Sequence, residues 1–201
     1  MLICGMLKNN YSGYQFEVGT DEAGRGCLSG PVVAAAVILP LNYHNDLLND
    51  SKQLSEAKRK ILRPIIEKDA LAFGISFIGE KEVDQLNVLQ ASITAMQRAI
   101  EMMSIPPEYI IVDGNKFKPY KDIPFKTIVK GDAKFMSIAA ASILAKTYRD
   151  DFMEKKFITN GVQLEKGNLV YLFSDGYPDQ FGGVKGKKLY LKGFKSLIER
   201  S

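Results

Sequence analysis

The pattern of apolar and polar positions predicts two strands near the start of the chain. Apolar or β-branched residues occupy alternate positions over residues 15–20, and an apolar run rich in β-branched residues covers residues 31–39. Both patterns are typical of strands. We therefore expect Asp21 and Glu22 to begin a short link between two strands.

Further along, the pattern alternates between helix and strand. It predicts strands over 70–78, 109–112 and 126–129, and helices from Ser55 with a kink at Pro64, over 88–103 and over 133–156. The last helix is rich in alanine and serine, which allows close packing on a sheet. This order predicts a mixed α/β sheet with both faces covered by helices.

Composition indicates one globular domain with a small addition. The chain has 201 residues, of which 46% are hydrophobic and 25% charged, enough to bury a core. The regular pattern weakens after about residue 160, so we expect a main domain over 1–158 and a small basic extension over 159–201.

The charge distribution permits a nucleic-acid partner. The net charge is only +4, but the stretch 180–198 contains no acidic residue and carries several lysines: Lys185, Lys187, Lys188, Lys192 and Lys195. Such a tail suits a phosphate backbone. It equally suits a solvated chain end, so composition leaves both explanations open.

The cysteines and apolar runs indicate a reduced, cytoplasmic protein. Cys4 and Cys27 are the only cysteines, and neither belongs to a CxxC pair or a disulfide framework. The apolar start is short and lacks a basic segment, so it does not resemble a signal peptide. No apolar run approaches the ~18 residues of a membrane span, so we expect no membrane contact.

Two further acidic residues lie at the ends of predicted elements. Asp113 directly follows the strand over 109–112, at the end where open α/β sheets carry their site residues. Asp132 precedes the helix over 133–156. Each also suits an ordinary structural role, Asp113 in a turn and Asp132 as a helix N-cap.

Four carboxylates brought together would form a site for divalent cations. Crowded carboxylates raise one another's pKa, and hard cations with oxygen ligands reverse that cost. The candidate ligands are Asp21, Glu22, Asp113 and Asp132. We expect Mg²⁺ or Mn²⁺, and two ions ~4 Å apart suit phosphodiester hydrolysis without a histidine base. The only histidine, His44, lies in a polar loop and is expected at the surface.

A glycine-rich stretch follows the first acid pair. Glycines allow close backbone approach, and the arginine between them has donors suited to phosphate. A polar hairpin turn would have a similar composition. The flanking residues are more specific, because they resemble the opening signature of the type 2 ribonucleases H: Gly19-Thr20-Asp21-Glu22-Ala23-Gly24-Arg25-Gly26, then Leu28-x-Gly30-Pro31-Val32-x-Ala34-Ala35-Ala36-Val37-Ile38-Leu39.

The resemblance implies a fold and a set of catalytic, metal-binding acids. The implied fold is ribonuclease H-like, an α/β mixed five-stranded sheet with helices on both faces and a small C-terminal extension. Asp21 and Glu22 match the family's paired acids. Asp113 matches the acid of its Val-Asp-Gly motif, and Asp132 matches the acid before its Ala-Ser-Ile-Leu-Ala-Lys helix.

The resemblance also implies a reader of the ribose 2′-hydroxyl. The loop of Gly24, Arg25 and Gly26 would contact that hydroxyl, together with the tyrosine of a Lys-Gly-Tyr motif, which falls on Tyr177 here. This chain has Ser-Asp where the family has His-Lys before Gly-Tyr. The resemblance is strong over residues 17–150 and weaker beyond.

Three basic residues match further substrate contacts of the family. Lys52 lies in an Asp-Ser-Lys-x-Leu-Ser motif and would contact a phosphate. Lys146 and Arg149 lie in an Ala-Lys-x-x-Arg-Asp motif near the end of the last long helix. Their position alone is equally explained by a favourable interaction with the helix end.

The implied activity is that of a metal-dependent endoribonuclease that cleaves the RNA strand of RNA–DNA hybrids. We expect a monomer that leaves 5′-phosphate and 3′-hydroxyl ends and also acts at single ribonucleotides in duplex DNA. Two alternatives are a DNA-specific nuclease of the same fold, such as a junction resolvase or integrase core, and a catalytically silent hybrid-binding module.

Overall fold

The computed structural model describes residues 7–27, 30–49 and 54–156, and two short strands nearer the C-terminus. The chain divides into two compact units, Met1–Ile158 and Thr159–Ser201. In the second unit the described strands, β6 (Phe181–Gly182) and β7 (Lys187–Lys188), form an antiparallel pair. Lys52, Tyr177 and the side chains of the lysine-rich tail lie outside the described residues.

The first unit is built on a mixed five-stranded sheet. Its strand order is β3-β2-β1-β4-β5. β1 pairs antiparallel with β2, which pairs antiparallel with β3, whereas β1–β4 and β4–β5 are parallel. The bounds are β1 Glu17–Ala23, β2 Val32–Ile38, β3 Ala72–Ile78, β4 Tyr109–Asp113 and β5 Phe125–Ile128. This confirms the predicted fold class.

Helices cover both faces of the sheet. Their bounds are α1 Asp46–Asn49, α2 Glu56–Asp69, α3 Glu80–Leu86, α4 Val88–Glu101 and α5 Met136–Lys156. α4 packs on one face, and α5 packs on the other with α2 against it. The short helices α1 and α3 were not predicted. Within the described residues, no helix has the length and apolar content needed to cross a membrane.

The first strand is longer than the sequence predicts. β1 continues through Asp21 and Glu22, which pair with Ala35 and Ala34 of β2. The expectation that the acids begin the link is therefore wrong, and the link runs from residue 24 to residue 31. The backbone of an acidic residue still satisfies the ladder, and alanine partners leave room for carboxylates.

Helix α2 begins after Ser55, as predicted, and buries part of its apolar residues. The Ser55 side chain accepts a hydrogen bond from the Lys58 amide at 3.4 Å and caps the helix. Pro64 lies inside the helix, and Leu62 and Ile66 are buried. Ile61 of the same helix is 58% exposed.

A glycine in β1 lets α5 lie directly on the strand. A Cβ atom at Gly19 would overlap the helix backbone where Ser137 meets Ile138. The helix surface there is made of small side chains, including Ala140 and Ala141. Close approach places α5 within reach of the side chains that follow Gly19 in β1.

Replacing Gly19 by alanine should destabilise the protein by about 3 kcal/mol, because a rigid backbone contact cannot relax around the added methyl group. The matched control is Gly79→Ala, since a Cβ atom there meets nothing within 4 Å and the cost at this helix N-cap should stay below about 1 kcal/mol. Urea unfolding of the two variants measures both values, and equal stability would contradict the close packing.

Candidate metal centre

The parallel pairing of β1 and β4 brings two acids side by side. Thr20 pairs with Val112 in this ladder, so the next residues, Asp21 and Asp113, follow at the adjacent carboxyl ends of the strands. Asp21 lies across the hairpin from Ala35, which belongs to the core on the α5 face. The edge that sequence reasoning selected for Asp113 is therefore where the first acid also lies.

Asp21 is the most buried of the four candidate acids, at 6% exposure. Burial, together with repulsion from Asp113, raises the pKa of Asp21 to about 7. Hydrogen bonds from the Ser142 hydroxyl and from the Glu22 amide, the latter at 2.8 Å, act in the opposite direction. A buried carboxylate that neighbouring carboxylates repel suits a bound cation.

Helix α5 contributes one polar side chain to Asp21 and a lysine that contacts that side chain. The buried Ser142 contacts the Asp21 carboxylate, and Lys146 Nζ donates to Ser142 Oγ at 2.8 Å. Sequence reasoning counted Ser142 only as a small packing residue. The available signal was the serine–lysine spacing of four on a helix that packs beside the acid pair. Lys146 is otherwise exposed.

Asp113 is held by backbone amides from the turn before α5. Its Oδ1 accepts a hydrogen bond from the Gly131 amide at 2.6 Å. Burial raises the pKa of Asp113, the Gly131 amide counteracts this, and repulsion from Asp132 adds to the rise. Asp132 lies in a 3₁₀ turn, Gly131–Ala133, that precedes α5. The helix begins at Met136, so the alternative role of Asp132 as its N-cap is excluded.

Glu22 leaves β1 on the side opposite to Asp21, because successive side chains of a strand alternate. Arg25 Nη1 lies 3.1 Å from Glu22 Oε1, and the two side chains form an ion pair. Burial raises the pKa of Glu22, the Arg25 interaction lowers it, and repulsion from Asp113 raises it further. The Glu22 carboxylate therefore repels Asp113 while Arg25 pairs with it.

The acids converge without forming a finished metal cage. Asp21, Glu22 and Asp113 repel one another, and Asp113 repels Asp132. Within the part of the chain that is described, no three acid, histidine or cysteine side chains are already arranged around one ion position. Arg25 and the Gly131 amide occupy oxygens of two acids. The donor chemistry nevertheless fits Mg²⁺ or Mn²⁺, which take carboxylate oxygens.

The two glycines that flank Arg25 have different surroundings. Gly24 has a φ of +96° and is packed against the Arg149 side chain and the Pro31 carbonyl, whereas a Cβ at Gly26 would meet nothing within 4 Å. Arg25 is about half exposed, at 49% for its side chain. The structure thus brings Arg149 to this loop, which the sequence did not indicate.

His44 is exposed, as predicted, and pairs with Asp46.

Comparison with known proteins identifies the family. Residues 18–169 match the sequence model of the family Ribonuclease HII. The chain belongs to the ribonuclease HII family. It is 55% identical to ribonuclease HII of Parabacteroides distasonis over 164 residues, covering 82% of this chain and 79% of that protein. It is 59% identical to ribonuclease HII of Christiangramia forsetii over 137 residues, covering 68% and 69%.

Solved structures agree with this family assignment. Ribonuclease H2 from Pyrococcus horikoshii is 28% identical, with a TM-score of 0.61 over 70% of this chain and 74% of that one. Bst-RNase HIII in complex with Mn²⁺ is 20% identical, with a TM-score of 0.58 over 76% and 55%, and supports the fold alone. As a member of this family, the chain is a metal-dependent ribonuclease H with activity on RNA–DNA hybrids.

Asp21→Asn should stabilise the metal-free protein at pH 8 by about 3 kcal/mol. The folded parent holds the Asp21 proton more tightly than the unfolded chain does, because its pKa is raised to about 7. The parent should therefore lose stability as pH rises from about 4 to 7, and the variant should lose less. Urea unfolding with chelator at pH 5 and pH 8 measures this difference.

The control for that measurement is Asp84→Asn, which changes an exposed carboxylate of α3. Its pH dependence should match the parent's. Mg²⁺ at pH 8 should stabilise the parent and the control but not Asp21→Asn. An Asp21→Asn protein that is less stable than the parent at pH 8 would contradict the raised pKa of the buried Asp21 carboxyl.

Proposed function

We propose that the chain hydrolyses RNA in RNA–DNA hybrids, and cuts at single ribonucleotides in duplex DNA, through two divalent ions, Mg²⁺ or Mn²⁺. The products would carry 5′-phosphate and 3′-hydroxyl ends. The observation that carries the proposal is the side-by-side placement of Asp21 and Asp113, with the pKa of both raised by burial. We further propose a monomer that acts in the cytoplasm.

The four acids would hold the ions: Asp21, Glu22, Asp113 and Asp132. When bound, divalent ions supply charge stabilisation at the phosphate and lower the pKa of the attacking water. The chain's own contribution is to fix the acids in place. The Gly131 amide orients Asp113, and the Ser142 hydroxyl orients Asp21. Fixed ligands reduce the reorganisation needed during the reaction.

The loop of Gly24, Arg25 and Gly26 has an open side that is suited to the ribose. Since no atom of the described residues lies within 4 Å of a Cβ position at Gly26, a sugar can approach the backbone there without displacing any of them. Backbone donors and acceptors match the 2′-hydroxyl, which both donates and accepts hydrogen bonds. We propose that Gly24, Arg25 and Gly26 form this reader, and that Tyr177 is a substrate contact, as the family motif implies.

Basic side chains would hold the phosphates around the cut. Lys146 is exposed next to Ser142, so its ammonium group lies near the acid pair and open to solvent. Lys52 is proposed as a second phosphate contact from the family motif. Together they would favour binding of the polyanionic duplex in a salt-dependent way.

Cleavage of matched duplexes tests the proposal. The substrates are a DNA duplex with one ribonucleotide, an RNA–DNA hybrid and an all-DNA duplex, each with Mg²⁺, Mn²⁺ or chelator. We expect cleavage of the first two only, and only with metal. Asp21→Asn and Asp113→Asn should each lower kcat/KM by about 1000-fold, with Asp84→Asn as the unchanged control. Parent-like cutting by either variant would overturn the metal-site assignment.

Two glycine substitutions separate the loop's substrate contact from its packing. Gly26→Ala should leave the urea midpoint unchanged but lower kcat/KM on ribonucleotide substrates by about 10-fold or more, because the new methyl group faces the sugar. Gly24→Ala should destabilise the protein, because it combines a φ of +96° with a Cβ 2.5 Å from Arg149 Nε. Full activity of Gly26→Ala would argue against this reader.

A further inference from the structure

Arg149 of α5 reaches into the link between β1 and β2. Its Nε donates a hydrogen bond to the Pro31 carbonyl at 3.1 Å. A Cβ atom at Gly24 would lie 2.5 Å from this Nε, and one at Gly30 would lie 3.2 Å from Nη2. One guanidinium therefore contacts both ends of the glycine loop, defined here as residues 24–27 and 30–31.

The loop has the two glycines that this contact requires. Gly24 and Gly30 have φ values of +96° and +90°, a region that other residues rarely adopt. Both also lack the side chain that would displace the arginine. Met153, one helical turn after Arg149, packs against Gly30. The loop is thus shaped around side chains of α5.

The same helix fixes the catalytic acid. Ser142 of α5 contacts Asp21, and seven residues further on Arg149 contacts the loop. Two helical turns separate these positions, so both side chains leave the same face of the helix. Helix α5 therefore contacts both the acid and the loop that follows it.

We propose that Arg149 is a positioning residue that holds the glycine loop against α5 and thereby sets the preference for a ribonucleotide at the cut site. The inference rests on the proposed function of the loop as a 2′-hydroxyl reader. It replaces the direct nucleic-acid contact that the sequence resemblance implied. The Nε–H group is used within the protein, and the side chain is partly buried.

Arginine and lysine differ in a way that separates the two roles. Arginine donates from Nε and from both terminal nitrogens in a fixed plane, whereas lysine carries a single flexible ammonium group. A phosphate contact depends mainly on the charge, so lysine substitutes well. A bridge from Nε to Pro31 with Nη2 beside Gly30 depends on the planar shape, so lysine does not substitute.

The test compares Arg149→Lys and Arg149→Met with the parent. Both variants should lower kcat on the single-ribonucleotide duplex by about 10- to 100-fold, with a smaller loss on the all-RNA hybrid. The Cys27 amide, which donates to the Gly24 carbonyl at 3.2 Å, should exchange its hydrogen faster in both variants. The dependence of duplex binding on salt should keep the parent's slope.

Arg98→Lys and Arg98→Met are the matched controls, because Arg98 pairs with Glu82 on the surface at 2.7 Å and neither residue belongs to the site. Amide exchange in β2 and β3 shows whether each variant is folded. Should Arg149→Met fail to fold, Arg149→Lys decides the question, since it keeps the charge and the helix propensity.

Two results would overturn the proposal. One is parent-like kcat and Cys27 exchange in Arg149→Lys, with a salt slope in Arg149→Met reduced by about one, which would make Arg149 a phosphate contact. The other is unchanged behaviour of both variants. Failure of the proposed function itself differs from these, because the parent would then cut no ribonucleotide substrate, or Asp21→Asn would cut as well as the parent.

Discussion

Electrostatic repulsion between two carboxylates at neighbouring strand ends is the constraint around which the site is built. The parallel ladder, whose last pair is Thr20–Val112, sets Asp21 beside Asp113, and the backbone hydrogen bonds of the sheet keep them from separating. Burial, together with this repulsion, raises the pKa of Asp21 to about 7. Near neutral pH the Asp21 carboxyl of the metal-free protein is therefore partly protonated and partly a buried negative charge. A bound divalent cation would stabilise the ionised form.

Helix α5 and the turn before it position the groups that contact Asp21, Asp113 and the link between β1 and β2. Gly19 allows the helix to lie on β1, and this contact brings Ser142 to the Asp21 carboxylate. The turn before the helix supplies the amide that holds Asp113. Near its other end, Arg149 holds the link between β1 and β2. Acid, support and substrate loop are therefore positioned by one element, which explains why so many of its residues are small or polar.

Local patterns in the sequence were sufficient for the sheet and for the main helices. Apolar runs and strand-end acids are local features, so the strands and the position of Asp113 followed from them. The extension of β1 through Asp21 depends on pairing with alanines of another strand. The Arg149–Pro31 contact joins residues 118 positions apart, and the role of Ser142 needs the helix to be docked. Such contacts arise only from tertiary packing, which single-sequence periodicity does not contain.

The central claim is that Asp21 and Asp113 share divalent cations. Anomalous diffraction from crystals grown with Mn²⁺ at pH 8 tests it most directly, because it locates the metal without reference to activity. We expect an anomalous peak in direct contact with carboxylate oxygens of both Asp21 and Asp113. Mn²⁺ bound only elsewhere, or touching neither carboxylate, would contradict it.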